Sequence, residues 1–75
     1  MGKIIEILYD NIMDLPKEDQ SKVIKLLEKI EAGLDSDTIS KEDAYFEILG
    51  IADDYLMPLS PRDVGRLRRE LGIVE

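Results

Sequence analysis

The chain contains no cysteine, histidine or tryptophan, a single phenylalanine and only three prolines among its 75 residues. Without Cys there is neither a disulfide staple nor a thiolate nucleophile, and without His there is no imidazole acid–base chemistry. Together the two absences exclude a His/Cys zinc site. Long apolar runs are also missing, since no stretch approaches the ~20 residues that span a bilayer. The opening M-G-K-I-I-E has neither the apolar region of a secretory leader nor the Ser/Thr of a myristoylation signal. A cytoplasmic, non-membrane protein is the expectation. No G-x-x-x-x-G-K-S/T or G-x-G-x-x-G loop is present to cradle phosphates, and Ser21, Ser36, Ser40 and Ser60 have no histidine to activate them. Neither an enzymatic function nor a cofactor is expected.

What the chain does have is 44% hydrophobic and 36% charged side chains and a net charge of −7. A length of this order corresponds to one small acidic domain over residues 1–75, burying somewhat more than ~60% of its unfolded surface. Such a core is small, and a partner subunit would add to it.

Ile4, Ile5, Leu8, Tyr9, Ile12 and Met13 recur at spacings of three and four residues and predict a first helix that ends at Leu15-Pro16. Pro16 suits the first turn of a second helix, where Val23, Ile24, Leu26, Leu27 and Ile30 face inward and Gly33 is placed to stop it. After a polar connector, Ser40 caps a third segment from about Lys41 to Met57, in one helix or in two divided near Gly50. Ser60 and Pro61 open a fourth, which Gly72 ends before Ile73 and Val74 fold back. The expected fold is all-α: a compact bundle of about four short helices in antiparallel order. Its expected core is Ile5, Leu8, Ile12, Val23, Leu27, Ile30, Tyr45, Ile48, Leu49, Ala52, Leu56, Val64, Leu67 and Leu71.

Charge is distributed unevenly. Residues 1–59 carry six Lys against fourteen acidic residues, whereas residues 60–75 carry four Arg against three. Asp35, Asp37, Glu42, Asp43, Glu47, Asp53 and Asp54 are opposed within their own stretch only by Lys41, and they form a candidate acidic interface for a basic partner. The alternative is that acidity serves solubility alone. A calcium loop does not fit: Asp35 and Asp37 match its first two ligand positions, but Ile39, Ser40 and Phe46 occupy places that need a ligand, a glycine and a glutamate. No metal site is expected.

The segment S-P-R-D-V-G-R-L-R-R-E-L-G-I is the most distinctive local element. Arg62, Arg66 and Arg69 share much of one helical face and Arg68 is offset from it; with Phe46 they make a candidate second interface. The segment resembles the opening helix of lambda-repressor-like helix-turn-helix regulators. Leu67, Arg68, Leu71 and Gly72 match the L-R-x-x-L-G part of that pattern, and Arg66 stands one position out of it. The resemblance covers about fifteen residues and implies a capped helix without the recognition helix that would follow it, so direct nucleic-acid binding is not expected.

The function these features favour is protein–protein interaction, as an adaptor or inhibitor using an acidic surface. A structural homo-oligomer or assembly subunit is the alternative reading, followed by a nucleic-acid-mimic inhibitor.

Overall fold

The apolar spacings become four helices in the computed structural model, which describes residues 2–73: α1 (Lys3–Met13), α2 (Lys17–Asp35), α3 (Lys41–Asp54) and α4 (Pro61–Leu71). They form a compact all-α bundle. Each helix packs on the one before it and α4 returns to α1, while the diagonal pairs α1/α3 and α2/α4 stay apart. One apolar cluster fills the centre. It takes Ile4, Ile5, Leu8 and Ile12 from α1, Val23, Leu27 and Ile30 from α2, Ala44, Tyr45, Ile48 and Ala52 from α3, and Leu67 and Leu71 from α4, with Leu15 and Met57 from the turns.

Local chemistry explains the helix starts. Ser40 Oγ accepts from the Asp43 N–H at 3.1 Å. At α4 the arrangement is reciprocal: Ser60 Oγ accepts from Asp63 N–H and Asp63 Oδ2 from Ser60 N–H, each at 3.2 Å, with Pro61 beside them. Pro16 sits one position before the first turn of α2, not within it. No side chain of its own caps α1. Instead Glu31, from α2, accepts the Ile4 N–H at 2.9 Å through Oε1. A Cβ at Gly2 would run into that carboxylate, so the glycine is what lets it approach.

A polar seam closes the ring. Asn11 of α1 donates from Nδ2 to the Pro58 carbonyl at 2.9 Å and to Asp63 Oδ2 at 3.0 Å, joining α1 to the α3–α4 turn and to the first turn of α4. Gln20 does comparable work at the first turn, donating to the Met13 and Leu15 carbonyls.

Three helices end the same way. After α2, the Thr38 N–H reaches the Gly33 carbonyl and the Asp37 N–H that of Leu34; Met57 to Ala52 with Leu56 to Asp53 repeats the pattern after α3, and Ile73 to Arg68 with Gly72 to Arg69 after α4. Each reversal needs one residue with left-handed φ, and these are Asp37 (58°), Leu56 (54°) and Gly72 (78°).

These endings correct three expectations. Gly33 does not stop α2, which continues to Asp35; a Cβ there would lie 2.7 Å from the Ile39 side chain, so the glycine admits the returning chain. The third segment is one helix, and it ends at Asp54 rather than Met57. Leu56 is therefore not core: the left-handed turn throws it outward to 85% exposure and puts Met57 inside at 3%. Leu26 is likewise exposed at the outer edge of α2, while Leu49 and Val64 are only partly buried against the cluster. Ile73 packs there as expected, and Val74 lies outside the described residues.

Two outcomes follow. Asp63 has its carboxyl pKa lowered from the usual 3.8, first by the Asn11 hydrogen bond and then by the Ser60 backbone and hydroxyl and the nearby Arg66 charge, against a raising effect of partial burial. A lowered folded-state pKa contributes stability above the unfolded value that is lost as pH falls through the folded one. Urea denaturation should therefore show wild type more stable than Asp63→Asn at neutral pH, with the difference shrinking below about pH 4; a constant gap would remove the ionised carboxylate from the account. Leu56→Gly should raise stability by about 1 kcal/mol, because a left-handed conformation costs an L-residue roughly that much and the exposed side chain buries little in return. A lowered urea midpoint would contradict it.

Candidate interaction surface

On α3, the 100° step between residues places Ala44, Tyr45, Ile48 and Ala52 toward the core. Glu42, Asp43, Phe46, Glu47, Gly50, Asp53 and Asp54 are all exposed on the outward side. Five of the seven carboxylates expected in the acidic interface therefore share one helix face. The other two do not. Asp35 ends α2 and lines a groove with Glu28, Glu31 and Glu70, and Asp37 lies in the following turn beside Lys41 and Glu70. With 14 residues, α3 is about 21 Å long, so Asp53 and Asp54 stand far along it from the turn that holds Asp37.

Glu42 and Asp43 occupy the first turn of α3, where the helix dipole favours negative charge. Asp53 and Asp54 are in the last turn, where it does not, and no basic residue accompanies them there. Gly50 is open: a Cβ at that position would meet nothing within 4 Å, so no close helix crossing accounts for it.

Phe46 is 66% exposed in the middle of this acidic face, one turn after Glu42 and Asp43 and one turn before Gly50. The arginines lie elsewhere. Arg62, Arg66 and Arg69 are exposed on the side of α4 opposite Leu67 and Leu71. Arg68 leans toward α3, where its Nε donates to Tyr45 Oη at 3.2 Å and its guanidinium carbon is 5.4 Å from the Tyr45 ring centroid. Phe46 meets this arrangement through its neighbour Tyr45, with ring centroids 5.7 Å apart and tilted by 57°. In direction Phe46 shares its side of α3 with the carboxylates, because consecutive residues on a helix point about 100° apart and Tyr45 faces inward.

Two apolar depressions border the face. Between α2 and α3, a groove of about 510 Å³ has Leu26, Ile30, Gly33, Ile39, Gly50 and Ile51 on its walls and Lys29, Glu47 and Asp54 at its rim. Beyond the end of α3, Leu49, Leu56, Pro58 and Leu59 line a shallower one with Asp53. Neither was evident from the sequence, because the first needs the α2–α3 pairing and the second the reversal at Leu56. Among the described residues, no three carboxylates converge well enough to hold a metal ion, and no helix is long and apolar enough to cross a membrane.

Because Phe46 lies so far out of the core, Phe46→Ala should change the thermal unfolding free energy by no more than about 0.5 kcal/mol. A loss well above 1 kcal/mol would instead make its contact with Tyr45 a packing element. No family model matches the chain, and neither a curated protein nor a solved structure matches it.

Proposed function

We propose that this protein works as a small adaptor or inhibitor, binding another protein through the outward face of α3. The observation that supports this reading is the exposed Phe46 ring set among Glu42, Asp43, Glu47, Asp53 and Asp54. Aromatic side chains supply much of the energy at protein interfaces, and surrounding charges steer and select the partner. The partner that suits this face carries a basic surface. Direct contact with nucleic acid is disfavoured, because the same carboxylates repel phosphate. A homo-oligomer built on this face meets a like-charge opposition of its own. The reading includes no turnover chemistry.

The test begins with native affinity purification of the full chain and identification of what is retained. A basic protein eluted by salt is the expected result. Asp53→Asn/Asp54→Asn should then weaken its binding by about threefold to tenfold at ~0.1 M salt, with the difference fading toward ~1 M as the screening length drops to ~3 Å. Unchanged binding in a variant that keeps its helical circular dichroism would remove the acidic face from the interface.

A further inference from the structure

Of the three left-handed residues that end helices, Asp37 has a short polar side chain suited to that backbone and Gly72 has no side chain to resist it. Leu56 has neither advantage. It takes φ 54° and gains no burial, at 85% exposure, because Met57 fills the core in its place. The two backbone hydrogen bonds that end α3 and the burial of Met57 hold this conformation in place, but the Leu56 side chain itself gains nothing from it, and strained exposed residues of this kind concentrate where a protein makes contacts. Leu56 is also not isolated. It lines the depression of about 380 Å³ with Leu49, Pro58 and Leu59, and Asp53 forms a charged wall. One turn back along α3 from Leu49 stands Phe46, and this succession of three and four residues places Phe46, Leu49 and Asp53 along one ridge, while Leu56, beyond the helix end, shares the depression with Leu49 and Asp53.

We infer that Phe46, Leu49 and Leu56 form the apolar seat for an amphipathic helix of a basic protein partner, with Asp53 and the flanking Glu42, Asp43 and Asp54 receiving its Lys or Arg side chains. The inference rests on the binding role proposed above and adds what is bound and where. Phe46 to Asp54 covers about 12 Å of α3 and Leu56 lies in the turn just beyond, a span that suits an occupant of at least two helical turns. Charge selects the occupant. In a twofold pairing of this face with a second copy, Glu42, Asp43, Asp53 and Asp54 would oppose the same carboxylates; a basic helix neutralises them while covering the apolar ridge.

The experiment uses the full chain and an amphipathic probe peptide of Leu, Ala and Lys, about 18 residues long, with leucines at i, i+3, i+4 and i+7. A peptide of the same composition with scattered leucines serves as control. Fluorescence anisotropy should show the patterned peptide bound at least tenfold more tightly than the control. Leu56→Asn keeps a residue that accepts left-handed φ, and Leu56→Gly relieves the backbone; each should weaken the patterned peptide about tenfold without lowering Tm, and Phe46→Ala should do the same. Retained affinity in all three variants, with Asp53→Asn/Asp54→Asn still weakening binding, would overturn the apolar seat and leave the acidic-face reading in place. Unchanged affinity in those three variants and in Asp53→Asn/Asp54→Asn as well would overturn both. Equal affinity for the two peptides would also reject the seat, as would a concentration-dependent dimer of the free chain that Leu56→Asn dissolves, since the occupant would then be a second copy.

Discussion

The ring of helices closes where α1 meets α4, and across that seam the Asn11 amide holds three elements in register. Its two hydrogens go to the Pro58 carbonyl and the Asp63 carboxylate, and that carboxylate is itself fixed by the Ser60 N–H. The Asn11–Asp63 pair is only part-buried, so water competes with it and its contribution lies at the low end for a hydrogen bond, about 0.5–1 kcal/mol. Direction matters as much as magnitude. Apolar packing among Ile5, Leu8, Leu67 and Leu71 would tolerate some sliding or rotation of α4, because burial is non-directional. The amide does not tolerate it. The α1–α2, α2–α3 and α3–α4 contacts join neighbours in the chain; α4 packing on α1 closes the bundle, and the Asn11–Asp63 bond, spanning 52 residues, fixes the register of that closure.

Closure in so short a chain also requires abrupt reversals, and these decide what enters the core. Connections of a few residues leave no room for gradual turns, so α2, α3 and α4 each end on a left-handed residue that satisfies the last carbonyls and turns the chain back. At α3 the turn exchanges two adjacent apolar side chains: Leu56 goes out and Met57 goes in. The buried thioether is a flexible filler that suits an irregular space at the end of a helix. The exposed leucine is the consequence on the other side.

Much of this architecture was legible in residue order. Helical periodicity, Ser40 as a cap, the Ser60-Pro61 start and Gly72 as a stop are local signals, and local hydrogen bonding realises each of them. The departures have a common cause in tertiary contact. Gly33 carries the composition of a helix stop, yet its role is to admit Ile39, and a sequence does not distinguish a turn glycine from a close-approach glycine. Leu56 followed from extending the periodic stripe of α3 past the point where the helix ends. The acidic residues cluster between positions 35 and 54 of the chain, but Asp35 and Asp37 belong to the end of α2 while the other five share a face of α3. Phe46 parts from Tyr45 for the simplest reason, the 100° between neighbours on a helix. Glu31 capping α1 has no sequence signature at all, since 27 residues separate donor and acceptor.

The two C-terminal helices differ in how well their local signals agree. In α4, the Ser60–Asp63 box, Pro61, an acidic first turn, Arg68 and Arg69 in the last turn and Gly72 beyond it all favour the same helix in the same place. Its Asp63 accepts the seam bond and its Arg68 contacts Tyr45, so these two polar groups of α4 tie it to α1 and α3. Its partial likeness to the opening helix of a DNA-binding domain is accounted for by that structural role, because a well-capped helix needs the same residues wherever it occurs. In α3 the signals conflict: Asp53 and Asp54 oppose the dipole, Gly50 weakens the interior by roughly 1 kcal/mol relative to Ala, and Leu56 strains the end. The buried face of the same helix, with Ala44, Tyr45, Ile48 and Ala52, shows no such conflict. Consistency across levels marks the parts of a sequence shaped by folding, and departures gathered on one exposed side mark the parts shaped by something else. On that argument α4 is the structural keystone, and the outward side of α3 is where the local signals and the fold part company.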